Sequence, residues 1–209
     1  HEIIMLNNQL KVFAFLFVCQ FFITAHSAAN EIRIAVASNF YPTMKAIVEE
    51  FELENFDSSK INKIVLIPGS SGKHYAQIIN GAPFDIFFSA DQVRPILLEE
   101  KGIVEYESRF TYALGKIVLW SPTNGLVDSE GQVLYDNNFR FLAIANPKIA
   151  PYGIATKETL ISMGLCNNMS KKVVRGENIA QAFQFINTGN AKLGFVSFSQ
   201  LMSPNFSLV

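Results

Sequence analysis

The feature that most constrains the fold is a regular alternation of short apolar, β-branched segments with helical patterns along most of the chain. Two segments, 44–51 and 179–186, place apolar residues at the i, i+3, i+4, i+7 spacing of one helix face. Strands interleaved with helices of this length predict an α/β fold with largely parallel sheets. The predicted strands are residues 32–37, 63–67, 85–89, 114–120, 139–145, 172–174 and 193–196.

Small polar residues stand at four of the predicted strand-to-helix turns. They are Ser38-Asn39, the 68–72 run PGSSG, Tyr152 in PYG, and the 176–178 run GEN before Ile179. Ligands of open parallel sheets bind at the carboxyl ends of strands. Helix N-termini there offer free N–H groups and a positive dipole end, which suit an oxyanion. Ordinary helix capping and tight turns explain each turn singly, so the pattern alone names no ligand.

Composition and charge exclude several classes of protein. Hydrophobic residues make up 49% of the chain and charged residues 17%, which supports a substantial core and excludes intrinsic disorder. Seventeen Lys and Arg stand against eighteen Asp and Glu, so the net charge is -1. Nucleic-acid binding needs a clustered positive excess, and we expect no such partner. Any bound anion must therefore be held by neutral donors.

The first 29 residues have the pattern of a secretory signal peptide. Lys11 precedes an apolar run over 12–24, and small residues follow at 25–29. A retained membrane anchor is the alternative, although the run is short for a bilayer span. Removal near Ala29 leaves His74 and Cys166 as the one histidine and the one cysteine, which excludes an internal disulfide and a multi-histidine metal site. We expect a periplasmic protein without a cofactor.

Five segments carry a resemblance that covers nearly the whole of the chain after residue 30. They are VASNF (36–40), GSSGKHYAQIINGAPFDIFFSADQ (69–92), YALGKIVLW (112–120), ANPKIAPYGIATKETL (145–160) and GENIAQAFQFINTGNAKLGFVSFSQ (176–200). Together they resemble the periplasmic molybdate-binding proteins of ABC importers. The resemblance implies the type II periplasmic binding fold, in which two α/β lobes joined by a hinge close on an anion.

The resemblance also implies a division of the chain. Residues 1–29 would be the signal peptide, 30–114 the first lobe, and 115–209 the second lobe with the start of the return crossover. Members of that family continue for about forty further residues that return to the first lobe. We therefore expect the sequence as given to lack the usual C-terminal segment.

The ligand set that the resemblance implies consists of neutral donors, and it holds molybdenum solely as the oxyanion. Its members are the hydroxyl and N–H of Ser38, the side chain of Asn39, the hydroxyl of Ser71, the N–H and hydroxyl of Tyr152, and the N–H of Ile179. One branch of the family has a tyrosine ligand where this chain has Ser197. We expect Tyr152 to supply the missing hydroxyl, with Ser197 as a possible further ligand.

The function implied is capture of molybdate and tungstate for an ABC importer by a monomeric, non-enzymatic receptor that docks on the importer's transmembrane subunits. Two alternatives remain open. The same scaffold could bind another oxyanion or a small organic acid, for which Arg175 is the candidate clamp. Ser70 and Lys73 also form an S-x-x-K pair, as in secreted serine hydrolases, but the accompanying S-D-N and K-T-G motifs are missing.

Overall fold

The computed structural model describes residues 31–54 and 63–202, and the strands in these residues form two separate sheets. The first sheet contains β1 (Glu31–Ala37), β2 (Lys63–Gly69) and β3 (Ile86–Phe88). The second contains β4 (Ile117–Trp120), β5 (Leu142–Ala145), β6 (Val173–Gly176) and β7 (Leu193–Ser197). The predicted signal peptide (1–29) lies outside the described residues, as do 203–209.

Helices connect most of these strands. In chain order they are α1 (Tyr41–Glu54), α2 (Ser71–Ile79), α3 (Val93–Glu100), α4 (Gln132–Asp136), α5 (Pro151–Ser162), α6 (Cys166–Met169), α7 (Ile179–Asn187) and α8 (Phe198–Leu201). In the described part of the chain, none of the helices is both long and apolar enough to cross a membrane. The alternation of strands and helices confirms the predicted α/β class.

Both sheets are largely parallel, as predicted. The first has the order β2-β1-β3 with all neighbours parallel, and β1 pairs with β2 from Glu31 opposite Lys63 to Ala37 opposite Gly69. The second has the order β4-β7-β5-β6, in which β4 runs antiparallel to β7 and the other pairs are parallel. Parallel strands end at the same edge of a sheet, so the turns after β1 and β2 lie side by side.

All seven predicted strands are present, but two begin three residues later than the sequence suggested. Strand β4 begins at Ile117, which pairs with Ser197, and residues 114–116 precede the ladder. Strand β5 begins at Leu142, opposite both Val173 and Leu193. The sequence does not show where strand pairing begins, so the predicted strands extended over 114–116 and 139–141, whereas pairing with a neighbouring strand sets the observed starts.

The two predicted helix faces differ in how deeply they are buried. On α7, Ile179, Ala182 and Ile186 are at most 2% exposed and pack on the second sheet. On α1, Met44 is buried, but Ile47 and Phe51 are 49% and 38% exposed. The 3.6-residue spacing therefore predicted both helices correctly, while it overstated the burial of α1.

Candidate functional site

A cavity lies where the two sheet units meet, at the carboxyl ends of β1 and β2. For brevity, residues 31–54 and 63–115 are called the first unit and residues 116–202 the second. The lining residues surround about 190 Å³ of atom-free space, a volume that includes open solvent. Five residues predicted as ligands line it, namely Ser38, Asn39 and Ser71 from the first unit and Tyr152 and Ile179 from the second.

Ser38 directly follows β1, and the main-chain pairing of the first sheet extends into this turn. Its N–H donates to the Gly69 carbonyl at 2.9 Å, so the N–H that was expected to bind the ligand is already engaged. Its Oγ accepts a hydrogen bond from the N–H of Ala180, at the start of α7, at 3.4 Å. The hydroxyl proton is therefore the group that Ser38 has left for a ligand.

Ser71 is the first residue of α2 and is completely buried. Its Oγ accepts from the N–H of Ala90 at 2.9 Å, which ties the β2–α2 turn to the segment after β3. A hydroxyl that accepts one bond in this way still has a proton to donate. Because Ser71 also lines the cavity, an anion there can accept a hydrogen bond from this hydroxyl.

Tyr152 enters the cavity from the second unit, on the first turn of α5. Its hydroxyl oxygen accepts from Asn39 Nδ2 at 3.3 Å, across the boundary between the units. Asn39 Oδ1 has no hydrogen-bond partner among the described residues. Burial raises the pKa of the Tyr152 phenol above its usual value of 10.0, so the hydroxyl remains a donor at neutral pH.

Three helices begin at the cavity, and their N-termini supply backbone donors. The first N–H groups of a helix have no partner within the helix. No side-chain hydrogen bond caps α2 or α5, whose N-cap residues are Ser70 and Ala150. The Asn178 side chain caps α7 by accepting from Gln181 N, which is two residues beyond Ile179. Gly72 N and Ala180 N are already donated to the Ile149 carbonyl and to Ser38 Oγ, and Pro151 has no N–H. The candidates that remain for an anion are the N–H groups of Ser71, Tyr152 and Ile179.

The hydroxyls of Ser38, Ser71 and Tyr152 share one arrangement. Each oxygen accepts a hydrogen bond from an N–H group of the protein, and each keeps its own proton. A cavity built in this way presents several donors with little competing acceptor capacity. It can therefore stabilise a negative charge without a positively charged side chain.

Charged groups lie around the cavity and not in it. Within residues 31–54 and 63–202, the side chains that line the cavity carry no formal charge. At its edge, Lys73 Nζ lies 2.6 Å from Glu177 Oε1 of the other unit. Arg94, which sequence reasoning did not single out, lies close to Gly72 and is paired with Asp91. Arg175 is exposed and does not line the cavity.

Ser197, the sixth predicted site residue, occupies a different position. It ends β7 and is the N-cap of α8, where its Oγ bonds Gln200 Oε1 at 3.0 Å and Ser199 Oγ at 3.1 Å. It is completely buried and is not part of the cavity lining. In this structure its hydroxyl serves the capping box of α8, whereas Tyr152 places a hydroxyl at the cavity.

Sequence reasoning placed Ser70 in the polar turn over 68–72 and in an S-x-x-K pair, but it did not name Ser70 as a ligand. The structure shows that Ser70 lines the cavity, is 3% exposed, and has an Oγ without a hydrogen-bond partner among the described residues. Lys73 Nζ is engaged with Glu177, so the pair lacks the contact that a nucleophile and its base require. The position of Ser70 between Gly69 and Ser71 was the available signal for a place in the site.

His74 lies behind the same turn and supports it from the core. Its ring is 1% exposed, and its Nδ1 is 3.2 Å from Gln77 Oε1. A Cβ on Gly69 would lie 2.7 Å from the ring, so this turn needs glycine where it passes the histidine. Burial lowers the pKa of His74 below its usual 6.5, so the imidazole is neutral at neutral pH. It is a packing residue and does not line the cavity.

Comparison with known proteins gives consistent matches over most of the chain. Molybdate-binding protein ModA of Azotobacter vinelandii is 48% identical over 173 residues, which cover 83% of this chain and 67% of the relative. The protein of the same name from Rhodobacter capsulatus is 42% identical over 177 residues, or 84% of this chain and 68% of the relative.

The solved structure of the periplasmic molybdate-binding protein of Azotobacter vinelandii superposes with a TM-score of 0.75 at 41% identity, covering 79% of this chain and 71% of that one. The fold is accordingly the type II periplasmic binding fold. The sequence pattern of the family "Bacterial extracellular solute-binding protein" matches residues 32–209. The chain belongs to the bacterial extracellular solute-binding protein family.

Proposed function

We propose that this protein is a receptor that captures molybdate or tungstate for an ABC importer. The observation that carries the proposal is the arrangement of the Ser38, Ser71 and Tyr152 hydroxyls, which accept bonds from the protein and keep their protons for an anion. Proteins named molybdate-binding protein ModA are 48% and 42% identical to this chain, which supports molybdate as the anion. The site residues are Ser38, Asn39, Ser71, Tyr152 and Ile179.

Closure of two lobes on the anion is the binding mechanism that we propose, with lobes at 30–114 and 115–209. Contacts that cross between the units support this mechanism. Gly72 N donates to the Ile149 carbonyl at 2.8 Å, and Lys73 pairs with Glu177 beside the cavity. An anion bound to donors from both units adds further cross-links, so ligand binding shifts the hinge equilibrium toward the closed form.

The expected affinity follows from the number of donors. A hydrogen bond to a charged group contributes about 1.5–3 kcal/mol, and the five site residues supply at least five such bonds. After the cost of association is subtracted, this set allows dissociation constants in the micromolar to nanomolar range. Asn39 can join the set through the second hydrogen of Nδ2, because the first is donated to the Tyr152 hydroxyl, which keeps its own proton for the ligand.

Selectivity would come from cavity size and from the excess of donors. Sulfate is smaller than molybdate, so fixed donors spaced for the larger ion leave it with stretched hydrogen bonds. Phosphate near neutral pH carries a proton that needs an acceptor. Among the described residues of the lining, Asn39 Oδ1 and Ser70 Oγ are the two buried side-chain oxygens without a partner, and Ser70 Oγ is a donor as well. We therefore expect molybdate and tungstate to bind more tightly than phosphate and sulfate.

The wider setting is part of the same proposal. Membership of a family of extracellular solute-binding proteins supports a periplasmic location, docking on importer transmembrane subunits, and a binding role without a cofactor or catalytic activity. We propose that the receptor acts as a monomer. An organic acid is a weaker candidate because Arg175 stands outside the cavity lining. A serine hydrolase is weaker still because Lys73 is paired with Glu177.

The test is a thermal-shift series with molybdate, tungstate, sulfate, phosphate and no added anion. A ligand at 100 times its dissociation constant adds about 2.7 kcal/mol to the free energy of unfolding, which raises Tm by roughly 5–10 °C for a chain of this size. We expect shifts of this order with molybdate and tungstate alone. A comparable shift with sulfate or phosphate would contradict the selectivity, and no shift with any oxyanion would contradict the function.

A further inference from the structure

The hydroxyl of Ser70 is the least explained polar group at the cavity. Ser70 is 3% exposed and lines the cavity beside Ser71, yet its Oγ has no partner within the described part of the chain. Leaving a buried hydroxyl without a hydrogen bond costs free energy, and proteins rarely tolerate it without a use. The described residues therefore contain a buried hydroxyl at the cavity for which they supply no partner.

Helix capping, the ordinary role of a serine at this position, does not account for the side chain. Ser70 is the N-cap of α2, where a serine hydroxyl normally accepts from the N–H two or three residues on. Here no side-chain capping bond forms. The N–H of Gly72, one of the two groups that such a cap would bind, donates instead to the Ile149 carbonyl of the second unit.

A nucleophile is the second role that this hydroxyl could have, and the surrounding groups oppose it. A serine nucleophile needs a base within hydrogen-bond reach. Lys73 Nζ is 2.6 Å from Glu177 Oε1, and the His74 Nδ1 atom faces Gln77. Neither side chain bonds Ser70 Oγ.

We propose that Ser70 is a further ligand-contacting residue, whose hydroxyl donates a hydrogen bond to an oxygen of the bound oxyanion. The inference rests on the proposed function and adds a fourth hydroxyl to those of Ser38, Ser71 and Tyr152. Unlike these three, Ser70 Oγ receives no bond from the protein, so its full hydrogen-bonding capacity is directed to the ligand. Its position next to Ser71 lets one turn present two hydroxyls to the same anion.

The test compares Ser70→Ala and Ser70→Gly with the wild-type protein, using calorimetric titration with molybdate and the Tm of the ligand-free protein. Glycine is nearly as good an N-cap as serine and lacks the hydroxyl, so the pair separates capping from ligand binding. We expect both variants to bind molybdate about 10- to 100-fold more weakly, which is the loss for one hydrogen bond to a charged group. The Tm without ligand should stay the same or rise.

Ser162→Ala is the matched control, because Ser162 is an exposed serine at the far end of α5 that bonds only the Thr159 carbonyl in the described structure. It should bind molybdate like the wild type. If the wild type binds molybdate and Ser70→Ala binds it with the same affinity, the proposed role of Ser70 is wrong but the proposed function stands. A loss in Ser70→Ala that Ser70→Gly does not share leads to the same conclusion, since that pattern belongs to a cap. A wild-type protein that binds neither molybdate nor tungstate overturns both this inference and the proposed function.

Discussion

Replacing Gly115 with alanine should weaken anion binding by displacing the hydroxyl of Tyr152. Gly115 precedes β4 and does not have a positive φ, so its backbone accepts alanine. A Cβ built at this position comes closer than 3.0 Å to the Tyr152 hydroxyl oxygen and lies 3.2 Å from Cζ. Ordinary contacts of a Cβ lie at 3.4–4 Å. The hydroxyl must therefore retreat by more than about 0.4 Å.

The structure offers little slack for such a retreat. The bond from Asn39 Nδ2 to the Tyr152 hydroxyl is already 3.3 Å long, near the limit of a useful hydrogen bond. A displaced hydroxyl loses this bond and its contact with the ligand together. One lost hydrogen bond to an anion corresponds to about 1.5–3 kcal/mol, so we expect Gly115→Ala to raise the Kd for molybdate about 10- to 100-fold.

A double-mutant cycle in calorimetric titration gives the decisive comparison. Tyr152→Phe removes the oxygen that the new methyl group meets, and the remaining 3.2 Å contact with Cζ needs a shift of only a few tenths of an ångström. Gly115→Ala combined with Tyr152→Phe should therefore bind molybdate about as tightly as Tyr152→Phe alone. If the affinity losses of the two single variants add up in the double variant, or if Gly115→Ala binds molybdate as tightly as the wild type, the reasoning is refuted. Circular dichroism of each variant controls for loss of the fold.

Two further predictions concern the turn after β2. Ser71→Ala should weaken molybdate binding about 10- to 100-fold, because one hydrogen bond to the anion is lost. It should also lower the Tm of the ligand-free protein, because Ala90 N loses its acceptor. A variant with unchanged Kd and Tm would contradict this geometry. Burial holds the pKa of His74 below 6.5 in the folded state, so the unfolded chain takes up the proton first as the pH falls. The free energy of unfolding therefore decreases as the pH is lowered below about 6.5. The drop in Tm between pH 7.5 and 5.5 should be smaller in His74→Gln than in the wild type, and equal drops in both proteins would exclude His74 as the cause.

The order of secondary structure was accessible from the sequence because local patterns determine it. Alternating apolar segments predicted the strands, the 3.6-residue spacing predicted the two helices over 44–51 and 179–186, and turn residues such as Gly69 marked strand ends. Exposure was less predictable. The spacing over 44–51 could not indicate that Ile47 and Phe51 remain 49% and 38% exposed, since that depends on which elements pack on α1.

The candidate site was predictable in position but not in its hydrogen bonding. Polar residues at the carboxyl ends of parallel strands, together with the family resemblance, indicated Ser38, Ser71 and Tyr152. Which of their atoms are already engaged depends on contacts distant in sequence, such as Ala180 N with Ser38 Oγ. For the same reason the sequence could not separate Ser70, with its unpartnered hydroxyl, from Ser197, whose hydroxyl caps α8.

The most direct test of an anion held by neutral donors between the two units is a crystal of the protein grown with tungstate, with the tungsten located by its anomalous scattering. We expect one strong anomalous peak in the cavity, with oxyanion oxygens about 2.7–3.2 Å from the hydroxyls of Ser38, Ser71 and Tyr152 and from the N–H of Ile179. Tungsten bound elsewhere, or held in the cavity by Lys or Arg side chains, would contradict the proposed site.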